Sequence, residues 1–301
     1  MGTLHIVATP IGNLEDVTLR ALRVLREVDW VLAEDTRRTR VLLEHFEISQ
    51  RPTSLHAHNE AGRIRSVLEA LEKDRSVALV SDAGTPLISD PGARLVAAVA
   101  EAGHRVEAVP GPSALLAALS VSGLDTARVL FLGFLPRKSG ARRRLLESQR
   151  GRPETIVLFE SPRRVATTLE EIGEILGNRA GCLARELTKR HEEVFRESVS
   201  VLAHRFAESP PRGECTLVIA GATAGDEHVE SAWSDDELDE LIRAELAEGA
   251  SIRDLSHDLA GRTGRARREV YARAVSLGEE QGAIGQGASV SIGQDDPSEA
   301  E

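Results

Sequence analysis

The sequence predicts an α/β protein: two successive α/β units followed by a small all-helical module. Three observations carry this prediction. Short apolar runs alternate with segments whose apolar residues recur at helical spacing, the pattern of a mostly parallel sheet with helices between its strands. The apolar runs end in loops of Gly, Pro, Ser, Thr and Asp, the longest being 81–92 after the run Val77–Val80. Residues 235–278 show three amphipathic patterns and no strand-like run.

The first unit spans residues 1–122. Leu4–Ala8 reads as the opening strand and enters a turn at Thr9-Pro10-Ile11-Gly12-Asn13. Asp16 or Thr18 is placed to cap a helix carrying Leu19, Leu22, Val24, Leu25 and Val28. A second strand at Trp30–Ala33 ends at Glu34-Asp35-Thr36, with Thr36 as the cap of a helix through Val41, Leu42 and Phe46. After a polar loop with His56 and His58, a helix through Ile64, Val67, Leu68 and Leu71 leads to Val77–Val80. The 81–92 connection exceeds the usual strand-to-helix length of about 2–6 residues, which marks it as a ligand loop. In open α/β sheets ligands bind beyond the carboxyl ends of the strands, and small residues let a ligand approach the backbone. A further strand, Val106–Val109, breaks at Pro110-Gly111-Pro112-Ser113, where Ser113 is a candidate N-cap. No G-x-G-x-x-G follows any strand, so a dinucleotide-binding fold of the usual type is not supported.

A hinge is expected at Ser122–Asp125, and residues 123–225 form the second unit. Its strands are placed at Val129–Leu132, Thr155–Phe159, Gly181–Ala184 and Thr216–Ala220, its helices near Ala141–Ser148, Arg164–Ile175 and Val199–Phe206. Polar groups gather at strand ends here too, so that two lined surfaces face one another across a cleft. Residues 226–234 read as an acidic linker, 235–278 as the helical module with Ser251 as a cap and Gly261 and Gly264 as a turn, and 279–301 as a disordered acidic tail. The module's last helix carries Arg265, Arg267, Arg268 and Arg273. It suits a helix-turn-helix unit or an accessory packing module equally.

The net charge is −11, but residues 226–240 hold eight acidic and no basic residues, and 279–301 hold six and none. Without these two blocks the chain has a slight basic excess, so the charge does not exclude nucleic acid as a partner. Between Arg137 and Arg152 lie seven basic residues (Arg137, Lys138, Arg142, Arg143, Arg144, Arg150 and Arg152) against one acid, Glu147. These, extended by Arg163 and Arg164, form the candidate phosphate-binding footprint. Aromatic residues make up 3%, so base stacking on an open platform is not expected to dominate. The two cysteines, Cys182 and Cys215, sit in apolar runs and read as buried free thiols. His56 and His58 lack a third ligand nearby, and no metal is expected. No apolar run has membrane-spanning length and no charged-then-apolar segment opens the chain, so a cytoplasmic protein with no membrane partner is expected.

Seven segments occur in an order that is similar to one family. They are ATPIGNLEDVTLRAL, AEDTRRTRVLLEHF, VSDAGTPLISDPG, VPGPSALLAALSVSG, GFLPRKSG, ESPRR and RELTKRHEEV. Across about residues 3–221 the chain resembles the small-subunit ribosomal RNA methyltransferase I family of the tetrapyrrole methylase superfamily, and REVYARAV resembles that family's terminal module. The resemblance implies two α/β domains with S-adenosylmethionine in the cleft between them, usually in a homodimer. It implies 2′-O-methylation of a cytidine in the decoding region of 16S rRNA within the 30S subunit. On this basis Asp82 and the amides of Ala83, Gly84 and Thr85 are the first expected cofactor contacts. Pro86, Ser89 and Asp90 complete that loop, and Pro10, Gly12, Asn13, Pro110, Gly111, Ser113 and Ala114 line the same face. Glu160, Glu186 and Lys189 are the candidate general bases, with Glu34 and Asp35 behind them as groups that could instead cap a helix; Lys189 would need a lowered pKa. Two other readings stay open: a superfamily methyltransferase acting on a tetrapyrrole or other small molecule, and a non-catalytic RNA-binding regulator.

Overall fold

A computed structural model describes residues 2–56, 59–223, 235–247, 250–263 and 269–278. The expected linker 226–234 and tail 279–301 lie outside the described residues, as do His58, Gly264, Arg265, Arg267 and Arg268. The chain divides into two compact units, Met1–Thr223 and Ala224–Glu301.

The larger unit holds two five-stranded sheets. The first is built from β1 (Thr3–Val7), β2 (Trp30–Ala33), β3 (Thr53–Ser54), β4 (Val77–Val80) and β5 (Arg105–Val109), in the order β3-β2-β4-β1-β5 and parallel throughout. A parallel sheet is covered on both faces, which is why β4 is a continuous apolar run buried at every position. Its side chains alternate between the faces. Ala78 and Val80 pack with Val7, Val31 and residues of α1 (Leu19–Glu27), whereas Val77 and Leu79 pack with α3 (Glu60–Glu72) and α4 (Ala93–Glu101). Thr18 caps α1 by accepting from the Ala21 amide at 3.1 Å. At α2 (Thr36–His45) the cap is Asp35 rather than Thr36, its Oδ1 accepting from the Arg37 amide at 2.9 Å.

The second sheet comprises β6 (Val129–Phe134), β7 (Thr155–Glu160), β8 (Ala180–Arg185), β9 (Glu193–Ser198) and β10 (Cys215–Ile219), in the order β6-β7-β10-β8-β9. Only the β6–β7 pairing is parallel. One face packs on α6 (Ser139–Glu147), α7 (Val165–Leu176) and α8 (Val199–Glu208) through Leu146, Leu169, Ile172 and Leu202. The opposite face is covered by α5 (Ala114–Ser122): Ala118 and Leu119 meet Val157, Cys182, Ala184 and Val218, with Ile11 and Leu187 in the same cluster. Thus α5, which follows β5 directly in sequence, spends its apolar face on the second sheet and binds the halves into one unit. It ends at Gly123, whose φ of 74° supplies the left-handed cap where a hinge was expected.

In the smaller unit, α9 (Asp235–Ala247), α10 (Ile252–Thr263) and a helical stretch at 269–278 share a core of Leu238, Ile242, Leu255, Leu259, Val270, Ala274 and Leu277. Ser251 caps α10, its Oγ accepting from the Asp254 amide at 3.2 Å. Gly261 lies inside α10 and makes no turn. Arg273, one of the arginines of the basic last helix, pairs with Asp235 at 3.1 Å and also with Asp239. Among the described residues, no helix is long and apolar enough to cross a membrane.

Candidate active site

The carboxyl ends of β1, β4 and β5 open into three loops that are laced together. Thr9 and Gly84 exchange backbone hydrogen bonds of 2.9 and 3.0 Å, and Thr9 Oγ1 donates to the Ser81 carbonyl at 3.2 Å. Ser81 Oγ donates to the Gly84 carbonyl at 3.0 Å, and Thr85 Oγ1 to the Pro112 carbonyl at 3.1 Å. The loop after β4 is strained at Leu87 and Ser89, whose φ are 76° and 70°, while Gly84 and Gly92 take φ of 80° and 120° without that cost. Left-handed backbone costs a non-glycine residue roughly 1–2 kcal/mol, and such strain concentrates at functional sites.

This loop forms one wall of a cleft of about 460 Å³. Asp82, Ala83, Gly84, Thr85, Ser89, Asp90, Ser113 and Ala114 line it, together with Ile11, Glu34, Arg38 and Ile88. The opposite wall comes from the second sheet: Phe134, Phe159, Glu160 with Ser161 and Pro162, and Gly213 to Thr216. Gly213–Thr216 escaped the sequence reading because β10 reads as an ordinary apolar run whose start gives no signal of a facing wall.

The first wall is anionic. Asp82 Oδ1 accepts from the Asp35 amide at 2.8 Å, while Oδ2 stands 3.8 Å from Arg38. Burial, then repulsion from Asp82, pushes the Glu34 carboxyl above its ordinary pKa. Burial, then Glu34 and Asp82, push Asp90 up to about 6. Asp35 is held at about 2 by hydrogen bonds from Arg37, as befits a helix cap.

Several expected roles are corrected. The Gly84 amide is committed to Thr9 and is not available to a ligand. Gly12 and Asn13 lie outside the cleft and join the two halves. A Cβ on Gly12 would come within 2.4 Å of Lys189 Cγ, and the Asn13 amide donates to Thr188 Oγ1 at 3.0 Å. Gly111 is likewise a close-approach position, its missing Cβ 3.1 Å from that of Ala8. Pro10 lines a smaller adjacent pocket with Asp82, Pro86 is buried in the loop, and Pro110 is exposed at the end of β5. Ser113 occupies the cap position of α5, yet its side chain makes no capping bond and borders the cleft instead.

The candidate bases fare no better. Burial opposes the charge on Lys189, but hydrogen bonds of 2.9 Å to Glu186 and Glu214 outweigh it and raise the pKa, the reverse of what a base needs. Burial likewise works against the Glu186 carboxylate, but Lys189 and the Glu214 amide hold its pKa below the ordinary value. Glu160 is buried with both oxygens engaged, accepting from the Ser161 amide at 2.7 Å and from Thr168 Oγ1 at 2.8 Å, and pairing with Arg164 at 3.0 Å.

The basic footprint also divides. Arg142 is buried and forms a two-pronged pair with Glu171, at 2.5 and 2.6 Å. Its guanidinium also donates to the Pro136 and Arg137 carbonyls, so it organises the loop and is not free for phosphate. Arg164 is held by Glu160 and the Leu135 carbonyl, and Arg143 pairs on the surface with Glu174 at 2.7 Å. Arg137, Lys138, Arg144 and Arg163 are exposed. Cys182 and Cys215 are free, buried thiols. Among the described residues, no cluster of metal-ligating side chains occurs.

The cleft thus lies at strand ends between the two sheets, with carboxylates gathered on one side. Residues 3–203 match the model of the Tetrapyrrole (Corrin/Porphyrin) Methylases. A uroporphyrin-III C-methyltransferase from Thermus thermophilus, solved in complex with S-adenyl homocysteine, has a similar fold (TM-score 0.52, 19% identity, covering 73% of this chain and 97% of that one). The ribosomal RNA small subunit methyltransferase I of Synechocystis is 45% identical over 92% of this chain and 99% of its own. The enzyme of that name from Thermotoga maritima is 51% identical over 73% of this chain and 99% of its own. The chain belongs to the tetrapyrrole methylases and, within them, to the ribosomal RNA small subunit methyltransferase I family. It is a methyltransferase.

Proposed function

We propose that this protein transfers a methyl group from S-adenosylmethionine to the 2′-hydroxyl of a cytidine in the decoding region of 16S rRNA. We place that reaction on the 30S subunit, in the cytoplasm, with the enzyme as a homodimer. The observation that carries the choice of RNA over a small molecule is the 45% identity with an rRNA methyltransferase over nearly the full length of both chains. The structural likeness to a porphyrin enzyme, at 19% identity, speaks for the fold alone.

The residues present fit the cofactor. The cleft volume of about 460 Å³ falls within the range of small-molecule sites, roughly 300–1,000 Å³. S-adenosylmethionine supplies an electrophilic methyl group on a positively charged sulfur. Glu34 and Asp82 would offer that cation negative charge from the first wall, and its binding would relieve the repulsion between them. Ala83, Thr85 and the Ser113 hydroxyl give the same wall neutral hydrogen-bonding groups. With Lys189, Glu186 and Glu160 committed to their ion pairs, Asp90 is the carboxyl suited to accept the hydroxyl proton. A base contributes most when its pKa lies near the working pH, worth about 10²–10⁴-fold.

The test is methyl transfer from labelled cofactor to 30S subunits, naked 16S rRNA and uroporphyrinogen, followed by mapping of the modified nucleotide. Label on a cytidine ribose in the 30S decoding region is the expected result. Label on the porphyrin alone, or on a base, would overturn the reading.

A further inference from the structure

We infer that Phe134 is a specificity residue that stacks on the base of the target nucleotide, holding it out of the RNA strand at the mouth of the cleft. The inference rests on the proposed RNA substrate and adds where its base goes. β6 runs in register with β7 from Val129 to Phe131 and then slips, so that Phe134 pairs with Phe159 where regular pairing would place residue 133. Bulges of this kind re-aim a side chain beside an active site. Gly133 lies within the slip with a φ of 61°, and a Cβ there would lie 3.2 Å from Ser89 Oγ. The end of β6 is therefore seated against the strained loop of the opposite wall.

Regular alternation would put Phe131 and Phe134 on opposite faces. The bulge brings both to Phe159, with ring centroids 5.0 and 5.7 Å away. Phe134 is thus backed by the Phe159 ring, yet it is 59% exposed and lines the cleft. Ile88, also exposed, lines the cleft from the neighbouring loop position to Ser89. An apolar ring exposed at a rim suits a flat partner that arrives from solvent.

Charge decides which flat partner that is. Arg137 and Lys138 follow Phe134 in the chain, Arg163 follows the cleft residue Pro162, and all three are exposed. Cations around an aromatic ring form the usual surface for a single-stranded nucleotide, with phosphates on the charges and the base on the ring. The carboxylates that suit the cofactor sit on the other wall. One nucleotide held in a cleft requires one or two rings, so the low aromatic content is no obstacle.

The experiment compares Phe134→Ala, Phe134→Leu and Phe134→Trp with wild type. It measures S-adenosylmethionine Kd by calorimetry, and KM and kcat for methylation of 30S subunits. For Ala we expect kcat/KM for RNA to fall on the order of 10–100-fold, with cofactor Kd within about 2-fold of wild type. Leu should stay close to Ala and Trp should recover most of the activity, because a stack needs a ring and greasy packing does not. Loss of cofactor binding in Phe134→Ala would assign the ring to the adenine and overturn the inference. Equal activity of Leu and wild type would overturn it as well. Wild-type protein inactive on 30S subunits would instead defeat the underlying functional reading, which separates the two failures.

Discussion

The two walls of the cleft carry their carboxylates in opposite ways. On the loop wall, Glu34 and Asp90 are crowded with Asp82, and burial and mutual repulsion hold both pKa values high. On and behind the second-sheet wall, each carboxylate has a cation: Arg164 for Glu160, and Lys189 for both Glu186 and Glu214. Behind that wall Glu171 has Arg142. Paired charges hold the frame, whereas crowded, under-compensated charges are left for a ligand to compensate. Two of these pairs, Glu160–Arg164 and Glu186–Lys189, are close in sequence, whereas Glu171–Arg142 and Glu214–Lys189 join distant positions that the sequence does not connect.

The contrast can be broken first at its structural extreme. Replacing Arg142 by Ala strands Glu171, whose side chain is 9% exposed, and should destabilise the protein by about 3–5 kcal/mol in denaturant melts. A variant with wild-type stability would show that this pair is not frame. Next, Asp90→Asn should lower kcat by about 10²-fold and abolish the acid limb of the rate profile near pH 6. Stability gives an independent reading of the same group. Its folded pKa, about 6, lies above the ordinary 3.8, so its contribution is fully present below pH 3.8 and lost as pH rises through 6. Asp90→Asn should therefore melt higher than wild type at pH 8, by roughly 1–4 °C, and no higher at pH 3.5. A third test is Asp82→Ala, which removes the acceptor of the Asp35 amide along with a cleft charge. It should weaken cofactor binding by on the order of 10-fold by calorimetry while the fold survives. The smallest effects belong to the surface. Joint replacement of Arg137, Lys138 and Arg163 by Glu should lower RNA affinity and flatten its salt dependence by about one unit of slope per lost phosphate contact. Arg143→Ala, already paired on the surface, should change affinity and stability little, within about 1 kcal/mol.

Much of the architecture was legible. β4 is an unbroken apolar run because both faces of a parallel sheet are buried, and its long loop of small residues pointed to one wall of the cleft. β9 was missed because Glu193–Ser198 is a charged edge strand, and edge strands carry charge to discourage further pairing. The site divided along a similar line. Asp82, Ser89, Asp90 and Ser113 could be assigned to loops at strand ends because loop chemistry is local, and all four line the cleft. Arg142 could not be removed from the footprint, because its partner Glu171 lies on another helix, and Phe134 could not be placed in the cleft, because the bulge at Gly133 depends on β7 and on Ser89.

By itself, then, the sequence determined most of the order of strands and helices, short of β3 and β9, together with the long loop after β4 and the family. Each of these rests on periodicity, turn chemistry or motif order within one stretch of chain. The tertiary structure alone decided which glycines serve close approach, which carboxylates are paired and which arginines are buried. It also decided that α5 spends its apolar face on the second sheet. Burial and ion pairing are properties of residues brought together from distant positions, and a carboxylate's pKa or an arginine's freedom exists only once those neighbours are in place.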